Sequence, residues 1–175
     1  MPKLQPIRDR FGPAWGCFVE MPVERGIALV LGMAPVDAPT GMARRDQYAA
    51  WADLAAEALG GYDALYIHIK GPDVPAHDGR AQDKRDVIED IDEAFFGELL
   101  PRIDSSRTLL AVTADHATSC LRKAHTADPV PVLVSGPRVA ADATQAFGER
   151  AAAEGALGTL AGVDILPRLV GLLRG

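Results

Sequence analysis

The chain has 175 residues, with 24% charged residues and a formal net charge of −6 at pH 7. This length suits one domain with a substantial core, and we expect residues 1–175 to form a single domain. The acidic balance excludes an electrostatic drive towards nucleic acid or anionic membranes, and the two cysteines are too few for a disulfide framework. No apolar run is long enough for a membrane span or a signal peptide, so a cytoplasmic location is expected.

The amino-terminal seventy residues are predicted to alternate short strands with helices. The predicted strands are 14–18 and 64–70, and the predicted helices are 20–31 and 46–59. Residues 1–10 are predicted to be an extended lead-in. Residues 34–41 contain two prolines and a glycine, which indicates a loop with a short extended segment.

The remaining residues are predicted to contain two further helices and two apolar strands. The sequence GPDVPAHDGR at 71–80 indicates a turn-rich loop. A long amphipathic helix is predicted after this loop, with an apolar stripe from Val87 to Leu99 and the acidic stretch 83–92 as its solvated face. Pro101 is predicted to end this helix or to lie just past its end. An irregular surface segment with some helix is expected over 139–158, and Asp164 is predicted to cap a last helix over 165–173.

Two short apolar runs, 109–113 and 130–134, indicate strands buried on both faces. Such strands are typical of a parallel or mixed sheet covered by helices, so an α/β fold is predicted. Ligands and chemistry collect at the carboxyl ends of strands in such folds.

Aspartate and histidine residues lie near the ends of three predicted strands, 64–70, 109–113 and 130–134. The candidates are Asp73 with His77, Asp115 with His116, and His125 in the loop before the next strand. Imidazole nitrogens and carboxylate oxygens without thiolates suit zinc, manganese or cobalt. We expect the five side chains to lie together at one edge of the sheet.

Each of these residues, taken alone, also has a purely structural interpretation. A lone aspartate–histidine pair is more often a capped loop with a satisfied histidine than a metal site, but three clusters at predicted strand ends favour metal. His68 lies inside a predicted strand, so a structural or supporting role is expected for it. Cys120 is expected to be packed or idle, and neither GxGxxG nor GxxxxGK[ST] occurs.

Three segments carry a resemblance to a known family. GPDVPAHDGR, DVIEDIDE and TADHATSCLRKAHTADPVPVLVSGP resemble the carboxy-terminal part of the archaeal-type cofactor-independent phosphoglycerate mutases. These are metalloenzymes of the alkaline phosphatase superfamily, and some relatives carry the name phosphonopyruvate decarboxylase. VERGIALVLGM and GALGTLAGVDILPRLVGLL extend the resemblance over nearly the whole chain. It implies an alkaline phosphatase-like mixed or parallel sheet with flanking helices, of which this chain holds the carboxy-terminal half.

The resemblance also implies roles for individual residues. Asp73, His77 and His125 match the ligands of one metal ion, and Asp115 and His116 match two ligands of the other. The family transfers a phosphoryl group from phosphoglycerate to a serine and back, with the metals activating the serine and stabilising charge. A basic position that could meet substrate phosphate is kept by Lys123.

The family's Asp-Gly-rich motif and its nucleophilic serine are not found in this sequence, and Ser119 is not expected to replace that serine. We therefore expect metal binding without mutase turnover, and no catalytic residue is assigned. An amino-terminal half or a homo-oligomer is the expected partner, and an exposed apolar surface is the expected sign of it.

Two rival functions stay open. A metal-dependent phosphatase or phosphonate hydrolase would share the metal centre, so the ligands do not separate it from a mutase. A non-catalytic metal-binding or interaction module would need no serine at all.

Overall fold

The structure is a computed structural model that describes residues 4–174. These residues form two compact units, divided between Ile103 and Asp104. This division into compact units does not test whether residues 1–175 form a single domain, which stays a prediction. Among the helices described, none is both long enough and apolar enough to cross a bilayer.

A parallel three-stranded sheet forms the centre of the first unit. Its strands are β1 (Trp15–Phe18), β2 (Ala34–Pro35) and β3 (Ala64–Ile67), in the order β2-β1-β3. Both pairings are parallel. The strands predicted at 14–18 and 64–70 are confirmed, the second in a shorter form, and β2 is the short extended segment expected in 34–41.

Helices precede, connect and follow the strands of this sheet. They are α1 (Ile7–Phe11), α2 (Pro22–Val30), α3 (Arg44–Ala58), α4 (Asp73–His77), α5 (Ala81–Asp90) and α6 (Gly97–Leu99). The helices predicted over 20–31 and 46–59 are confirmed as α2 and α3. The prediction of an extended segment over 1–10 is wrong from Ile7 onwards, where α1 begins. Its first three residues lie outside the described residues.

The loop predicted over 71–80 is wrong in its centre, where α4 makes one helical turn. Pro72 precedes the helix and Pro75 lies in its first turn. Proline is tolerated there because the first amide groups of a helix have no intrahelical carbonyl partner. Gly79 leaves the turn at a φ of +76°, a conformation that suits glycine. The turn residues therefore bound a short helix instead of replacing it.

The core of the first unit lies between the sheet, α3 and the long helical region after α5. Phe18 at the end of β1 and Trp51 on α3 are almost completely buried, with ring centroids 6.2 Å apart. The Trp51 indole nitrogen donates to the Pro39 carbonyl at 2.7 Å, so the polar atom of this ring is satisfied. This packing holds β1 against α3.

The long helix predicted between residue 80 and Pro101 is confirmed as helical, but its winding changes along its length. After α5 it continues as a π-helical segment, Ile91–Phe96, then as α6 and a 3₁₀ turn, Leu100–Arg102. Phe95 is buried and Phe96 meets it edge-on, with ring centroids 5.2 Å apart. The spacing of apolar residues from Val87 to Leu99 is that of an ordinary α-helix, so periodicity does not indicate this change.

One acidic residue of the predicted solvated face is buried. Asp90 accepts hydrogen bonds from Arg44 at 2.6 Å and from Arg45 at 2.9 Å. Burial acts against ionisation of this carboxyl, but the two guanidinium groups outweigh it and lower the pKa of Asp90. Asp90 therefore ties α3 to the end of α5.

Replacing Asp90 by asparagine is expected to lower the free energy of unfolding by about 1–2 kcal/mol, since two partly exposed arginines lose a charged acceptor. Because the pKa of Asp90 is lowered in the folded state, its contribution is complete above the unfolded pKa, about 3.9. The contribution is lost as the pH falls through the lower folded pKa. Urea unfolding of both proteins at pH 7 and at acid pH measures this, and the two stabilities should converge in acid. A difference that persists undiminished in acid would contradict the ion pair.

The second unit contains two antiparallel pairs and two helices. Its elements are β4 (Leu110–Thr113), β5 (Ala117–Ser119), β6 (Ala124–Thr126), β7 (Val132–Ser135), α7 (Glu149–Ala153) and α8 (Gly162–Arg174). The pairs are β4 with β7 and β5 with β6. The strands predicted near 109–113 and 130–134 and the mostly irregular segment 139–158 are confirmed.

Three details of the second unit differ from the predictions. The apolar run at β4 is not buried on both faces, since Ala111 and Thr113 are exposed. His125 is not in a loop, because it lies in the middle of β6. The last helix starts at Gly162, so Asp164 lies in its first turn, where a carboxylate still favours the helix dipole.

An exposed apolar stripe follows one side of α2. Val23, Ile27 and Val30 are 60%, 56% and 58% exposed. Spacings of four and three residues place them on one helix face. An apolar surface of this kind was the expected sign of a partner.

Candidate metal centre

The first pair of candidate ligands lies on one turn of helix in the first unit. The spacing of four residues in α4 brings Asp73 and His77 to the same face. Asp73 Oδ1 lies 3.4 Å from His77 Nε2, and Asp73 Oδ2 accepts a hydrogen bond from Lys70 Nζ at 3.2 Å. The Asp73 side chain is 18% exposed and that of His77 is 40% exposed, so solvent reaches the pair.

The chain leading into α4 is held in place by two residues from elsewhere in the unit. Glu20, just after β1, accepts a hydrogen bond from the Lys70 backbone amide at 2.8 Å. A Cβ atom at Gly71 would collide with the Tyr48 hydroxyl and with Val87, so only glycine allows this close approach. Burial, and then the nearby Glu20 carboxylate, raise the pKa of Tyr48 to about 12. Tyr48 therefore stays neutral at physiological pH and packs without adding charge.

The second pair of candidate ligands lies directly after β4 in the second unit. The His116 backbone amide donates to Asp115 Oδ1 at 3.1 Å, which turns the carboxylate back towards its neighbour. Asp115 Oδ2 then lies 3.4 Å from His116 Nε2. The other ring nitrogen, His116 Nδ1, lies 3.1 Å from Thr118 Oγ1.

The β5–β6 hairpin brings His125 to the second pair. Thr118 and His125 are cross-strand partners, and the rings of His116 and His125 have centroids 3.7 Å apart at 31°. Three of the five predicted ligands thus form one cluster within the second unit, and the other two form the pair on α4. The joining of these two groups in a single cleft stays a prediction.

The spacing of donor atoms within each pair fits a shared metal ion. Both oxygen-to-nitrogen distances are 3.4 Å, which is longer than a normal hydrogen bond. Two ligands held about 2.0–2.1 Å from one tetrahedral ion are themselves about 3.4 Å apart. The donor set and its spacing therefore fit a divalent ion such as zinc, manganese or cobalt.

The remaining predicted residues have other positions. His68 Nδ1 lies 3.0 Å from the Glu24 carboxylate, so this histidine joins α2 to the end of β3, as a structural role requires. Lys123 is exposed at the hairpin turn, with a φ of +53°. The Ser119 hydroxyl accepts the Arg122 backbone amide at 3.2 Å, which is a turn contact. Cys120 is partly buried in that turn.

Three residues that the sequence analysis did not single out bear on the site, namely Glu20, Tyr48 and Thr118. Glu20 and Tyr48 lie far from α4 in sequence, so no local pattern connects them to it. Thr118 lies two residues after His116, and its β-branched side chain in a short strand between two histidines is a local signal that could have been noticed.

Comparison with known proteins adds to this geometry. Residues 31–169 match the sequence profile of the metalloenzyme superfamily. The whole chain is 39% identical to a 2,3-bisphosphoglycerate-independent phosphoglycerate mutase of Aeropyrum pernix and covers 42% of that protein. Over 99% of its length the chain is 38% identical to the protein of the same name in Methanoculleus marisnigri, of which it covers 41%.

Two solved structures share the fold. The PH0037 protein of Pyrococcus horikoshii superposes with a TM-score of 0.90 over 99% of this chain and 45% of its own, at 31% identity. A cofactor-independent phosphoglycerate mutase of Thermoplasma acidophilum superposes with a TM-score of 0.75 over 98% of this chain and 40% of its own, at 25% identity. These superpositions confirm the predicted α/β fold. The chain spans about two fifths of the length of the mutases that it matches, so its likeness is to one part of those proteins.

Proposed function

Because the chain belongs to the metalloenzyme superfamily, we propose that it is the carboxy-terminal part of a metal-dependent phosphoglycerate mutase that interconverts 2- and 3-phosphoglycerate. The observation that carries this proposal is an identity of 39% to such a mutase along the whole chain. The two aspartate–histidine pairs, each with donor atoms 3.4 Å apart, support it independently.

The proposed first ion is held by Asp73, His77 and His125, and a second ion by Asp115 and His116. Three protein ligands fix an ion and leave a position open, whereas two leave most of the shell to water, so the first ion binds tightly and the second weakly. Divalent ions in such pairs polarise phosphoryl oxygens and activate an oxygen nucleophile.

The described residues of this chain prepare that site in several ways. Glu20 and Tyr48 fix the approach to α4, and Lys70 holds one oxygen of Asp73. Lys123 places a positive charge two residues from His125, where it can attract the phosphate of a phosphoglycerate. The serine that accepts the phosphoryl group comes from the part of the mutases that this chain does not span.

The stripe of Val23, Ile27 and Val30 on α2 is the proposed contact with that remaining part. Apolar side chains exposed along one helix face are stabilised when a partner covers them. The partner would be a polypeptide equivalent to the other three fifths of the mutases. The assembled enzyme would act in the cytoplasm.

A phosphoglycerate assay tests the proposal. The chain with added manganese is expected to give no isomerisation of 3-phosphoglycerate above background, and activity is expected when the remaining mutase polypeptide from a relative is added. Free phosphate is measured in the same reactions. Phosphate release without isomerisation would replace the mutase by a phosphatase, and turnover by the chain alone would show that its own residues include a nucleophile.

A further inference from the structure

Thr118 is in contact with a proposed metal ligand without being one itself. Its hydroxyl oxygen lies 3.1 Å from Nδ1 of His116, while Nε2 of the same ring faces Asp115 Oδ2 at 3.4 Å. The two ring nitrogens thus have separate surroundings, a hydroxyl on one side and a carboxylate on the other. The Nε2 side is the one that faces the Asp115 carboxylate.

The position of this hydroxyl is well fixed. Thr118 is only 6% exposed, although most residues of the hairpin around it are not buried. It is the central residue of β5 and pairs with His125 across the hairpin. A threonine side chain in a strand has few rotamers because it is branched at Cβ, so its oxygen stays where the backbone places it.

A neutral imidazole that binds metal through one nitrogen carries its proton on the other. A ligand at Nε2 of His116 therefore requires a proton at Nδ1 and an acceptor for it. The Thr118 hydroxyl oxygen is within hydrogen-bond distance of that nitrogen and can accept. Partners of this kind orient a histidine and increase its basicity as a ligand.

We propose that Thr118 is a positioning residue for His116: its hydroxyl holds the ring with Nε2 towards Asp115 and accepts a hydrogen bond from Nδ1–H when a divalent ion binds the pair. This rests on the proposed function, because the ion is the one assigned there to Asp115 and His116. The hydroxyl of Thr118 therefore sets the affinity for the second, weaker ion.

The test compares Thr118→Val, which keeps the shape of the side chain and removes the hydroxyl, with Thr118→Ser, which keeps the hydroxyl. The control is Thr113→Val. The hydroxyl that this change removes donates to the Pro131 carbonyl at 3.0 Å and not to a candidate ligand. Cobalt is titrated into each full-length chain and followed by its visible absorption. Nitrogen NMR of the zinc-saturated proteins reports which nitrogen of His116 carries the proton, and thermal unfolding without metal checks the fold.

The expected result is a loss of about 10-fold or more in affinity for the second ion in Thr118→Val, with recovery in Thr118→Ser. The Thr113→Val chain should bind as the unchanged protein does, and the His116 proton should be found at Nδ1 in the zinc-saturated protein. Unchanged second-ion affinity in Thr118→Val, failure of serine to restore it, a proton at Nε2, or no second ion in the unchanged chain would each overturn the role of Thr118. Absence of all metal binding would overturn the proposed function itself, so the two failures are distinguishable.

Discussion

The chain with His125 replaced by alanine is expected to bind the first metal ion at least about 100-fold more weakly than the unchanged chain. The change removes one of three proposed protein ligands, and even residues that only support a ligand are worth about 10–100-fold in affinity. Isothermal titration of manganese or zinc into both proteins at neutral pH measures the difference.

His68→Ala is the matched control for this change. It removes an imidazole of the same size, but one whose Nδ1 faces the Glu24 carboxylate at 3.0 Å and not a candidate ligand. Metal affinity should stay close to that of the unchanged chain. Equal losses in the two variants would show that the imidazole at His125 has no special place in the site.

Replacing Trp51 by alanine is expected to lower the free energy of unfolding by about 3–5 kcal/mol, the range seen when large core side chains are truncated. Trp51 is 1% exposed, packs on Phe18 and donates to the Pro39 carbonyl. The change therefore leaves a cavity and removes the donor to that carbonyl. Urea unfolding followed by circular dichroism measures the loss.

Leu121→Ala is the control for the Trp51 change. Leu121 is 97% exposed in the hairpin turn, so truncating it should change stability by less than about 0.5 kcal/mol. A Trp51→Ala chain as stable as the Leu121→Ala chain would contradict the placement of the core between β1 and α3.

Local pattern predicted most of the regular elements of this fold. The strand at 14–18, the helices at 20–31 and 46–59 and the mainly irregular 139–158 all follow from side-chain periodicity and from glycine and proline positions. The same rules misjudged 71–80, because proline and glycine mark the ends of a helical turn as readily as they mark a loop. They also missed the burial of Asp90, which depends on two arginines some forty-five residues away.

The closeness of neighbouring candidate ligands follows from local sequence, whereas their surroundings do not. Asp73 with His77 and Asp115 with His116 are each close in sequence, so local backbone geometry alone brings each pair together. The close contact of the His125 and His116 rings depends on a hairpin that sequence pattern did not predict. The support from Glu20 and Tyr48 depends on tertiary packing, which no short motif encodes.

The most direct test of the metal centre is the anomalous scattering from crystals of the full chain loaded with zinc. We expect one strong peak about 2.0–2.2 Å from a carboxylate oxygen of Asp73 and from ring nitrogens of His77 and His125, and a weaker peak beside Asp115 and His116. Zinc bound away from Asp73 and His77, or no ordered zinc at all, would contradict the proposal that Asp73, His77 and His125 bind one ion.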